Sequence, residues 1–392
     1  MRNLVLGRKD IVLKELERIG VDANAFPIFM HKADHLILKF DHLSCAQAHI
    51  LKQVALICGA DLAIPKVAYR GGKNKKFSAI LFANRREIEK IDKRLTEQPW
   101  MESISKELRT VLAKRPPEIL KIGTTEIIFD RTYIMGVINV ASDSFYSGSR
   151  YTTSSIIEKV VKEMEEEGAD FIDIGAESTR PEADAIGENE EIERLRGVLP
   201  TLLKNSNIPI SVDTYKAGVA AYAIDQGIDI INDISGLSFD RKMARVIAKN
   251  KVSVVIMHIR GAPKTMQINP EYDNLMGDIY DYLEKRVAFA TQSGISRDRI
   301  IIDPGLGFGK KLEDNYEIIR RLGELTNLNR PILVGHSRKS FIGNPFNLSP
   351  EQRLEGSLGV EALLIKNGVS ILRVHDVLEA KKVAMLIDKI ER

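Results

Sequence analysis

Polar side chains stand at the ends of short apolar runs through the second two thirds of this sequence. One run, "FIDIG" at 171–175, carries Asp173 at its centre and leads into the polar stretch "ESTRP" at 177–181. The ends of the runs, in order, hold Asn139, Asp173, Asp213, Asn232, Met257–His258, Asp303, Ser337–Arg338–Lys339 and Arg373–His375. A single such aspartate is usually a satisfied core residue, but polar groups at the end of nearly every run predict one shared pocket.

Four of these side chains carry the hydrogen-bonding groups that a flat nitrogen heterocycle requires. The carboxylates of Asp213 and Asp303 accept hydrogen bonds from ring N–H and amino groups. The amide of Asn232 and the ammonium of Lys339 donate to a carbonyl or a ring nitrogen. The sequence therefore predicts that one end of the ligand is a heterocycle of this kind.

A second group of donors predicts that the other end of the ligand is anionic. The group comprises Asn139, Thr179, Arg373 and His375. An arginine fork matches phosphate oxygens in a bidentate manner. The amide oxygen of Asn139 suits Mg²⁺ beside a diphosphate, so Mg²⁺ is the expected cofactor and Asn139 its expected protein ligand.

Three other motif interpretations are weaker. "GLGFGK" at 305–310 has the glycines of a phosphate loop but does not complete the Walker pattern, so a tight loop after Asp303 is the favoured interpretation. His258, His336 and His375 follow different apolar runs without a helical His pair, which argues against a catalytic zinc. No G-x-S-x-G elbow surrounds Ser337, which argues against a serine hydrolase.

The elements that must position these residues alternate regularly from residue 133 onward. Short apolar runs are each followed by a stretch with helical periodicity, such as "SIIEKVVKEMEEEG" at 155–168. Eight such units over about 260 residues predict a (β/α)8 TIM barrel with right-handed crossovers, and an open doubly wound sheet is the competing architecture.

Residues 1–120 have a different pattern, which predicts a small α/β domain of unknown role before a barrel at 121–392. "HLILKF" alternates like a half-buried strand, and "SCAQAHILKQVALI" is an amphipathic helix. A hairpin around "GGKNKK" and a helix at "NRREIEKIDKRL" follow. In the connecting stretch "KRPPEILKIGTTEIIFD", Pro116 and Pro117 interrupt any helix. This stretch is also predicted to form a hairpin that closes the bottom of the barrel.

Composition excludes several classes of partner. The net charge of +3 is spread along the chain, which gives no case for nucleic acid. Cys45 and Cys58 form neither a disulfide framework nor a metal-ligand spacing, which favours a reducing cytoplasm. No apolar run reaches the roughly 18 residues of a membrane span, and the N-terminus lacks an export-signal pattern. The expected partners are therefore small molecules.

Seven motifs of this sequence, in order and at similar spacing, resemble those of dihydropteroate synthase. They read "YIMGVINVASDSF", "GADFIDIGAESTRP", "ISVDTYKAGVAAYAIDQGIDIINDISG", "VVIMHIRGAPKTMQ", "IIIDPGLGFGKKLEDN", "VGHSRKSFIG" and "LRVHDV". The resemblance covers about residues 133–392 and leaves the N-terminal part as an extension. It implies condensation of 6-hydroxymethyl-7,8-dihydropterin diphosphate with p-aminobenzoate to give 7,8-dihydropteroate and diphosphate in folate biosynthesis, in a homodimer.

The resemblance also implies roles for individual residues. The pterin would be bound by Asp173, Asp213, Asn232, Met257, Asp303, Gly307, Phe308 and Lys339. The diphosphate would be bound by Asn139, Thr179, Arg373 and His375, and the arylamine by Phe145, Arg180, Pro181, Ser337 and Arg338. The reaction itself would depend on Lys339, Arg373, His375, Thr179 and Asp213.

The first loop departs from the family pattern, which keeps other functions open. The family usually has Thr-Pro-Asp-Ser-Phe-Ser-Asp-Gly-Gly, whereas this chain has "ASDSFYSGS" at 141–149. Ala141, Ser142 and Ser147 therefore put the specificity for the arylamine in doubt more than the binding of pterin. The alternatives are a ribosylated aminobenzene as acceptor, as in methanopterin synthesis, a methyltetrahydrofolate:corrinoid methyltransferase, or a non-catalytic pterin-binding protein. The N-terminal domain is expected to serve docking or dimerisation.

Overall fold

The computed structural model describes residues 9–71, 75–113, 118–140, 150–178 and 185–391. The chain divides into two compact units, Met1–Arg115 and Pro116–Arg392. The sequence predicted this boundary at residue 120, whereas the first strand of the second unit begins at Ile119. Ile119 and Leu120 therefore lie in the barrel unit.

The described residues of the first unit form a three-stranded antiparallel sheet and five α-helices. Its strands are β1 (His35–Ser44), β2 (Asp61–Ala63) and β3 (Lys76–Asn84), in the order β1-β3-β2. Its helices are α1 (Lys9–Arg18), α2 (Phe26–Ala33), α3 (Cys45–Cys58), α4 (Arg85–Leu95) and α5 (Glu102–Leu112). Apolar side chains of β1, β3, α3, α4 and α5 form the core of this unit.

Local sequence explains where two of these helices begin. Ser44 and Asn84 each close a capping box, with Gln47 and Glu87 three residues later, so α3 and α4 start directly after a strand. The predicted strand and both predicted helices are confirmed. The hairpin is wider than predicted, because β2 ends at Ala63 and pairs with Ile80–Phe82, and a 3₁₀ turn at Lys66–Arg70 follows Pro65.

The second unit contains an eight-stranded parallel sheet. Its strands are β6 (Tyr133–Asn139), β7 (Phe171–Gly175), β8 (Ile210–Asp213), β9 (Ile230–Asp233), β10 (Ser253–Met257), β11 (Ile300–Asp303), β12 (Leu333–Gly335) and β13 (Ile371–Val374). The order β11-β10-β9-β8-β7-β6-β13-β12 places the two end strands together, and a parallel bridge between Ile302 and Ile332 joins them. The (β/α)8 barrel is therefore confirmed and the open sheet is not formed.

Helices follow every strand of the barrel. They are α6 (Arg150–Glu166), α7 (Glu188–Arg196), α8 (Leu199–Asn205), α9 (Ala217–Gln226), α10 (Met243–Asn250), α11 (Leu275–Gln292), α12 (Leu312–Arg321), α13 (Ser340–Gly343), α14 (Leu354–Lys366) and α15 (Val377–Glu391). Among the described residues, none of the helices combines the length and the apolar character of a membrane span.

Strand alternation divides the barrel into two cores. One set of side chains packs between the strands and the helices, as Ile172, Ile231 and Leu372 do. The other set, here called the interior layer, lies inside the barrel and comprises Met135, Phe171, Ile230, Val255, Ile301, Leu333 and Ile371. Because side chains alternate along a strand, residues two positions after the interior layer also point into the barrel, nearer its C-terminal end.

A hairpin closes the other end of the barrel, as predicted. It consists of β4 (Ile119–Ile122) and β5 (Thr125–Ile128) and turns at Gly123 with φ of +55°. Leu120 and Ile122 pack against the interior layer. Arg299 donates to the carbonyl of Gly123 at 3.0 Å, which fixes the turn beneath the barrel. Solvent is thus excluded from this end, and the accessible pocket lies at the other.

Candidate active site

The alternation of the strands brings the predicted polar residues together at the C-terminal end of the barrel. Asp173, Asn232 and Arg373 each lie two residues after a member of the interior layer, as do Met257 and Asp303. Their side chains therefore form a second level above a wholly apolar one. Asp173 is fully buried, and Asn232, Met257 and Asp303 are also buried.

Arg373 connects two of the buried carboxylates. Its Nε lies 2.6 Å from Asp173 Oδ2 and its Nη2 lies 3.0 Å from Asp213 Oδ2. Asn232 Nδ2 also donates to Asp173 Oδ2, at 3.2 Å. One guanidinium therefore neutralises part of the charge of two acids that come from strands β7 and β8.

Each of the two carboxylates retains an oxygen that no side chain or backbone group of the described residues satisfies. These atoms are Asp173 Oδ1 and Asp213 Oδ1, and both are buried. A buried acceptor without a partner is unfavourable by about 1–3 kcal/mol. Two such acceptors inside one pocket indicate a ligand that carries N–H donors.

Burial shifts the ionisation of Asp213. It raises the pKa of Asp213 to about 7, aided by Asp173 and opposed by the positive charge of Arg373. For Arg373, burial opposes the charge, but Asp173 and Asp213 outweigh it and raise the pKa of the guanidinium. The arginine is therefore permanently charged, and Asp213 changes its ionisation near neutral pH.

The loop after β11 supplies an acid and a rigid wall. Burial raises the pKa of Asp303, although the amide of Gly305 donates to Asp303 Oδ1 at 2.6 Å. Gly305 and Gly309 have positive φ, and a Cβ at Gly305 would lie 2.0 Å from the carbonyl oxygen of His258. The glycines of "GLGFGK" thus serve a close backbone approach.

The amides of this loop are used within the protein. The amide of Gly307 donates to Asn315 Oδ1 at 2.7 Å, and that of Phe308 donates to the carbonyl of Gly305 at 3.1 Å. Amide groups engaged in this way are not available to a phosphate. The interpretation as a tight loop is confirmed for these residues.

Lys339 lies against the wall that this loop forms. Its Nζ lies 4.6 Å from the centre of the Phe308 ring and donates to the carbonyl of Leu306. A Cβ at Gly307 would lie 3.4 Å from Lys339 Cδ, so the lysine stem packs directly on that glycine. Burial lowers the pKa of Lys339 to about 8, while Asp303 opposes the shift. Lys339 is therefore an ammonium donor that titrates within reach of physiological pH.

Asn139 ends β6 beside Asp213. A Cβ built on Gly175 would lie 3.6 Å from both Asn139 Oδ1 and Asp213 Cβ, so the two side chains flank that glycine. An amide and a carboxylate oxygen suit Mg²⁺, which usually keeps several waters and takes few protein ligands. Within the part of the chain that the structure describes, no group of three His, Cys, Asp or Glu residues forms a metal cluster. The donors fit a metal held largely by a substrate.

The stretch after β12 is arranged mainly by contacts within the protein. Ser337 Oγ lies 3.1 Å from His375 Nδ1 and also accepts from the His375 amide at 3.3 Å. Arg338 forms a bidentate pair with Asp376, with Nη2–Oδ1 of 2.7 Å, and donates to the carbonyl of Pro350. These contacts hold His375 at the edge of the pocket, while the guanidinium of Arg338 is occupied elsewhere. A role for Arg338 at the arylamine stays a prediction.

Comparison with known proteins shows the family to which the chain belongs. The family model described as "Pterin binding enzyme" matches residues 135–375. A dihydropteroate synthase of Clostridium beijerinckii is 43% identical over 275 residues, which cover 70% of this chain and 100% of that protein. The chain belongs to the dihydropteroate synthase family. It is therefore an enzyme of the transferase class.

One solved structure and one further relative support the same family. The crystal structure of a Xanthomonas albilineans dihydropteroate synthase with 4-aminobenzoic acid is 35% identical and has a TM-score of 0.65, covering 70% of this chain and 98% of that one. A probable bifunctional folylpolyglutamate synthase/dihydropteroate synthase of Halobacterium salinarum is 35% identical over 367 residues, which cover 93% of this chain and 44% of that protein. The latter alignment extends into the first unit.

Several residues that the dihydropteroate synthase resemblance assigns to substrates lie outside the described residues. They are Phe145 in the first loop and Thr179, Arg180 and Pro181 in the second. The departures Ala141, Ser142 and Ser147 lie there as well. Their roles remain predictions from the motifs.

The histidines behind the pocket have structural partners. His258 Nδ1 lies 3.0 Å from Lys310 Nζ, and both residues are buried. Burial and the neighbouring Lys310 hold the pKa of His258 well below its ordinary value. His336 Nε2 lies 3.1 Å from Glu361 Oε1 on α14. His258 and His336 therefore stabilise the structure behind the pocket.

Three residues that support the dihydropteroate synthase site were not predicted from the sequence. Lys310 donates to the Phe308 carbonyl at 3.0 Å, and Asn315 accepts from Gly307. Lys216 pairs with Glu177 directly after β7. Two of them could have been found in the sequence, because Lys310 lies within "GLGFGK" and Asn315 lies in the first turn of the next helix. Lys216 could not have been recognised as the partner of Glu177, because it lies 39 residues further along the chain.

Proposed function

We propose that this chain condenses 6-hydroxymethyl-7,8-dihydropterin diphosphate with p-aminobenzoate, as a dihydropteroate synthase in folate biosynthesis. The observation that carries the proposal is the pair of unsatisfied buried oxygens on Asp173 and Asp213 within a barrel of this family. The exocyclic carbon of the pterin loses its C–O bond to diphosphate. It gains a C–N bond to the amine, and one amine proton is released.

Four side chains are suited to form hydrogen bonds with the edge of the pterin ring. Asp213 and Asp303 accept from amino and ring N–H groups, while Asn232 and Lys339 donate to the ring carbonyl and a ring nitrogen. Met257 is buried beside them and supplies an apolar wall. Asp173 holds Asn232 and Arg373 in place through one oxygen, at 3.2 and 2.6 Å. Its other oxygen is left to accept from the ligand.

The anionic half of the substrate is assigned to Asn139, Arg373 and His375. Arg373 can contact an oxygen of the diphosphate while its fork stays anchored on the carboxylates. His375 is exposed and is oriented by Ser337, so its ring faces a position that charged oxygens can reach. When bound, Mg²⁺ would supply positive charge to the departing diphosphate. Asn139 would offer it an amide oxygen.

These residues support departure of the leaving group more than activation of the nucleophile. An arylamine is a weak neutral nucleophile, so the barrier depends on charge that develops on diphosphate. The electron-rich dihydropterin stabilises a cation at its exocyclic CH₂, which favours a dissociative path. Such a path requires alignment and charge stabilisation rather than a strong base. The described pocket supplies both through Arg373 and the carboxylate pair.

A turnover assay tests the proposal. The protein is mixed with Mg²⁺, pterin diphosphate and p-aminobenzoate, and release of diphosphate and formation of dihydropteroate are both followed. The matched variants are Asp213→Ala in the pocket and Asp225→Ala, an exposed position on α9. We expect turnover in the wild type and Asp225→Ala only. Tight pterin binding without diphosphate release would instead identify a non-catalytic pterin-binding protein.

The assembly and location of the protein are also part of the proposal. We propose a homodimer that forms through the second unit, because α14 and α15 expose Leu363, Met385, Leu386 and Ile390. Met385→Glu should then shift the sedimentation coefficient to that of a monomer. The cytoplasm is the proposed compartment, since two free cysteines suit a reducing environment.

A further inference from the structure

Two side chains from different loops hold both backbone groups of Gly307. The amide of Gly307 donates to Asn315 Oδ1 at 2.7 Å, and the carbonyl of Gly307 accepts from Gln267 Nε2 at 2.6 Å. Asn315 is buried in the first turn of α12, where its Nδ2 also donates to the carbonyl of Lys311 at 2.7 Å. Gln267 is exposed and comes from the loop after β10. Since neither bond to Gly307 belongs to a helix or a strand, the position of this glycine depends on the two side chains.

The side chain of Lys339 packs on Gly307 and on its two neighbours. A Cβ at Gly307 would lie 3.4 Å from Lys339 Cδ, so the lysine stem lies directly on the glycine. The Lys339 ammonium donates to the carbonyl of Leu306 and lies 4.6 Å from the centre of the Phe308 ring. Three consecutive residues of the loop after β11 therefore contact this one side chain. A shift of Gly307 would change the surface against which the lysine packs.

Other contacts hold the part of the loop that follows Gly307. Lys310 Nζ donates to the carbonyl of Phe308 at 3.0 Å. The hydroxyl of Tyr272 donates to the carbonyl of Gly309 at 2.8 Å. A cavity of about 480 Å³, lined by Gly307 and by the two side chains that hold it, lies beside the loop. Loss of either side chain should therefore let the glycine move into this space while the rest of the loop stays attached.

We propose that Asn315 and Gln267 are positioning residues for the pterin, which hold the Lys339 ammonium in place through Gly307. The proposal rests on the proposed dihydropteroate synthase activity, in which Lys339 donates to the pterin ring. Asn315 lies on a helix outside the barrel strands and contacts the backbone of the loop. Its effect on the ligand is therefore transmitted through the lysine that packs on that loop.

The ionisation of Lys339 gives a readout that a general loss of stability would not change. Burial lowers the pKa of Lys339 to about 8, and Arg373 adds to the shift. Asp303 and Asp213 oppose it, and Lys310 is a second cation close by. If the loop moves away from the lysine stem, water reaches the ammonium and its pKa rises. The loss of pterin affinity in the alkaline range should then begin at a higher pH.

Asn315→Ala and Gln267→Ala in the full chain test the proposal. The first variant removes the acceptor of the Gly307 amide, and the second removes the donor to the Gly307 carbonyl. The matched control is Asn250→Ala, because the exposed Asn250 also donates to a carbonyl four residues earlier, that of Val246, at 2.9 Å. Calorimetry measures the affinity of each protein for pterin diphosphate from neutral to alkaline pH.

We expect Asn315→Ala to raise the Kd for pterin diphosphate about tenfold near neutral pH and to move the alkaline limb upward by about half a pH unit or more. Gln267→Ala should change both quantities in the same direction by a smaller amount, because its hydrogen bond is exposed to water. Asn250→Ala should match the wild type. In a Lys339→Met background, Asn315→Ala should weaken binding by no more than about twofold, since the ammonium that it positions is absent.

Unchanged pterin affinity in folded Asn315→Ala would overturn the proposal. Weaker binding with an unmoved alkaline limb, or an equal loss in the Lys339→Met background, would overturn it too, because the role would then be structural alone. If Asn315→Ala does not fold, Gln267→Ala decides by the same two measurements, since its position is exposed. A wild type that does not bind pterin diphosphate would refute the proposed function instead.

Discussion

Arg373 Nε lies 2.6 Å from Asp173 Oδ2, and the same guanidinium reaches Asp213 Oδ2 at 3.0 Å. The family resemblance assigns the arginine to diphosphate and the two acids to pterin. The contact therefore links the two halves of the substrate through one side chain. Binding energy gained at the pterin can thus be used to orient the cation that stabilises the leaving group.

Asp213→Ala should abolish measurable pterin diphosphate binding in a folded barrel. The carboxylate faces ring donors, and loss of a charge-assisted hydrogen bond weakens binding by about 1.5–3 kcal/mol, more if a donor is left unpaired. Calorimetry measures the affinity, with Asp225→Ala as the exposed control. Wild-type affinity in folded Asp213→Ala would exclude Asp213 from the pocket.

Arg373→Ala should weaken binding of pterin diphosphate far more than binding of the unphosphorylated hydroxymethyl pterin. The variant should also lose about 3–5 kcal/mol of unfolding free energy, because Asp173 and Asp213 would be left buried without their cation. Arg373→Lys keeps the charge without the fork and should recover only part of both losses. Equal losses of affinity for the two ligands would mean that the arginine serves structure alone.

Pterin affinity should be greatest between about pH 7 and pH 8. Below this window Asp213, whose pKa is raised to about 7, gains a proton and loses an acceptor. Above it Lys339, whose pKa is lowered to about 8, loses its charge. Titration calorimetry from pH 5.5 to pH 9.5 (an interval of roughly one and a half units beyond each limit) gives the profile. Asp213→Asn should remove its acidic limb and Lys339→Met its alkaline limb.

The same shift at Asp213 has a consequence for stability. A carboxyl whose pKa in the folded protein exceeds its ordinary value of 3.8 binds its proton more tightly in the folded state. Its contribution to stability is therefore present at low pH and is lost as the pH rises through about 7. Chemical denaturation of wild type and Asp213→Asn at pH 4, 5.5 and 7.5 (roughly spanning the two pKa values) checks this sign. A wild-type advantage that grows with pH would contradict it.

The sequence predicted the barrel and most of its pocket because both depend on regular alternation. Asp173, Asn232 and Arg373 lie in the C-terminal halves or centres of their strands, and the period of two fixes the side to which they point. Pairings across the chain could not be predicted in the same way. Arg373 and Asp173 are 200 residues apart, and the pairing of β13 and β7 with the two sides of β6 brings them together.

Contacts in the second loop show the same limit. Glu177 was visible at the exit of β7, but its partners Lys216 and Glu191 come from other elements, and no local pattern links them. Ser337 and Arg338 were assigned to the arylamine from their motif. The described contacts join Ser337 to His375 and Arg338 to Asp376, and the roles of both residues at the arylamine stay predictions. Side-chain direction at a loop depends on tertiary neighbours, which a motif does not contain.

A protein that begins at residue 116 should retain pterin diphosphate affinity within about twofold of the full chain. The second unit has its own core and plug, and all of the Clostridium beijerinckii relative aligns to about 70% of this chain. Its stability or association can change, since the first unit carries a separate core of its own. Sedimentation and calorimetry compare the two proteins. A folded truncation that fails to bind pterin would show that the first unit contributes to the site.

Ser147→Asp tests the altered first loop, where the family usually has an aspartate. The family resemblance places this loop beside the arylamine, so a missing negative charge there should favour anionic amines, including a phosphoribosylated one, because charge repulsion is removed. Restoring the carboxylate should leave pterin diphosphate affinity within about threefold but shift the ratio of kcat/KM between p-aminobenzoate and a bulkier phosphorylated arylamine toward p-aminobenzoate, since discrimination is differential transition-state binding. Ser149→Asp, two residues further along, controls for charge alone. An unchanged ratio would make the loop substitutions neutral and leave p-aminobenzoate as the acceptor on the family resemblance alone.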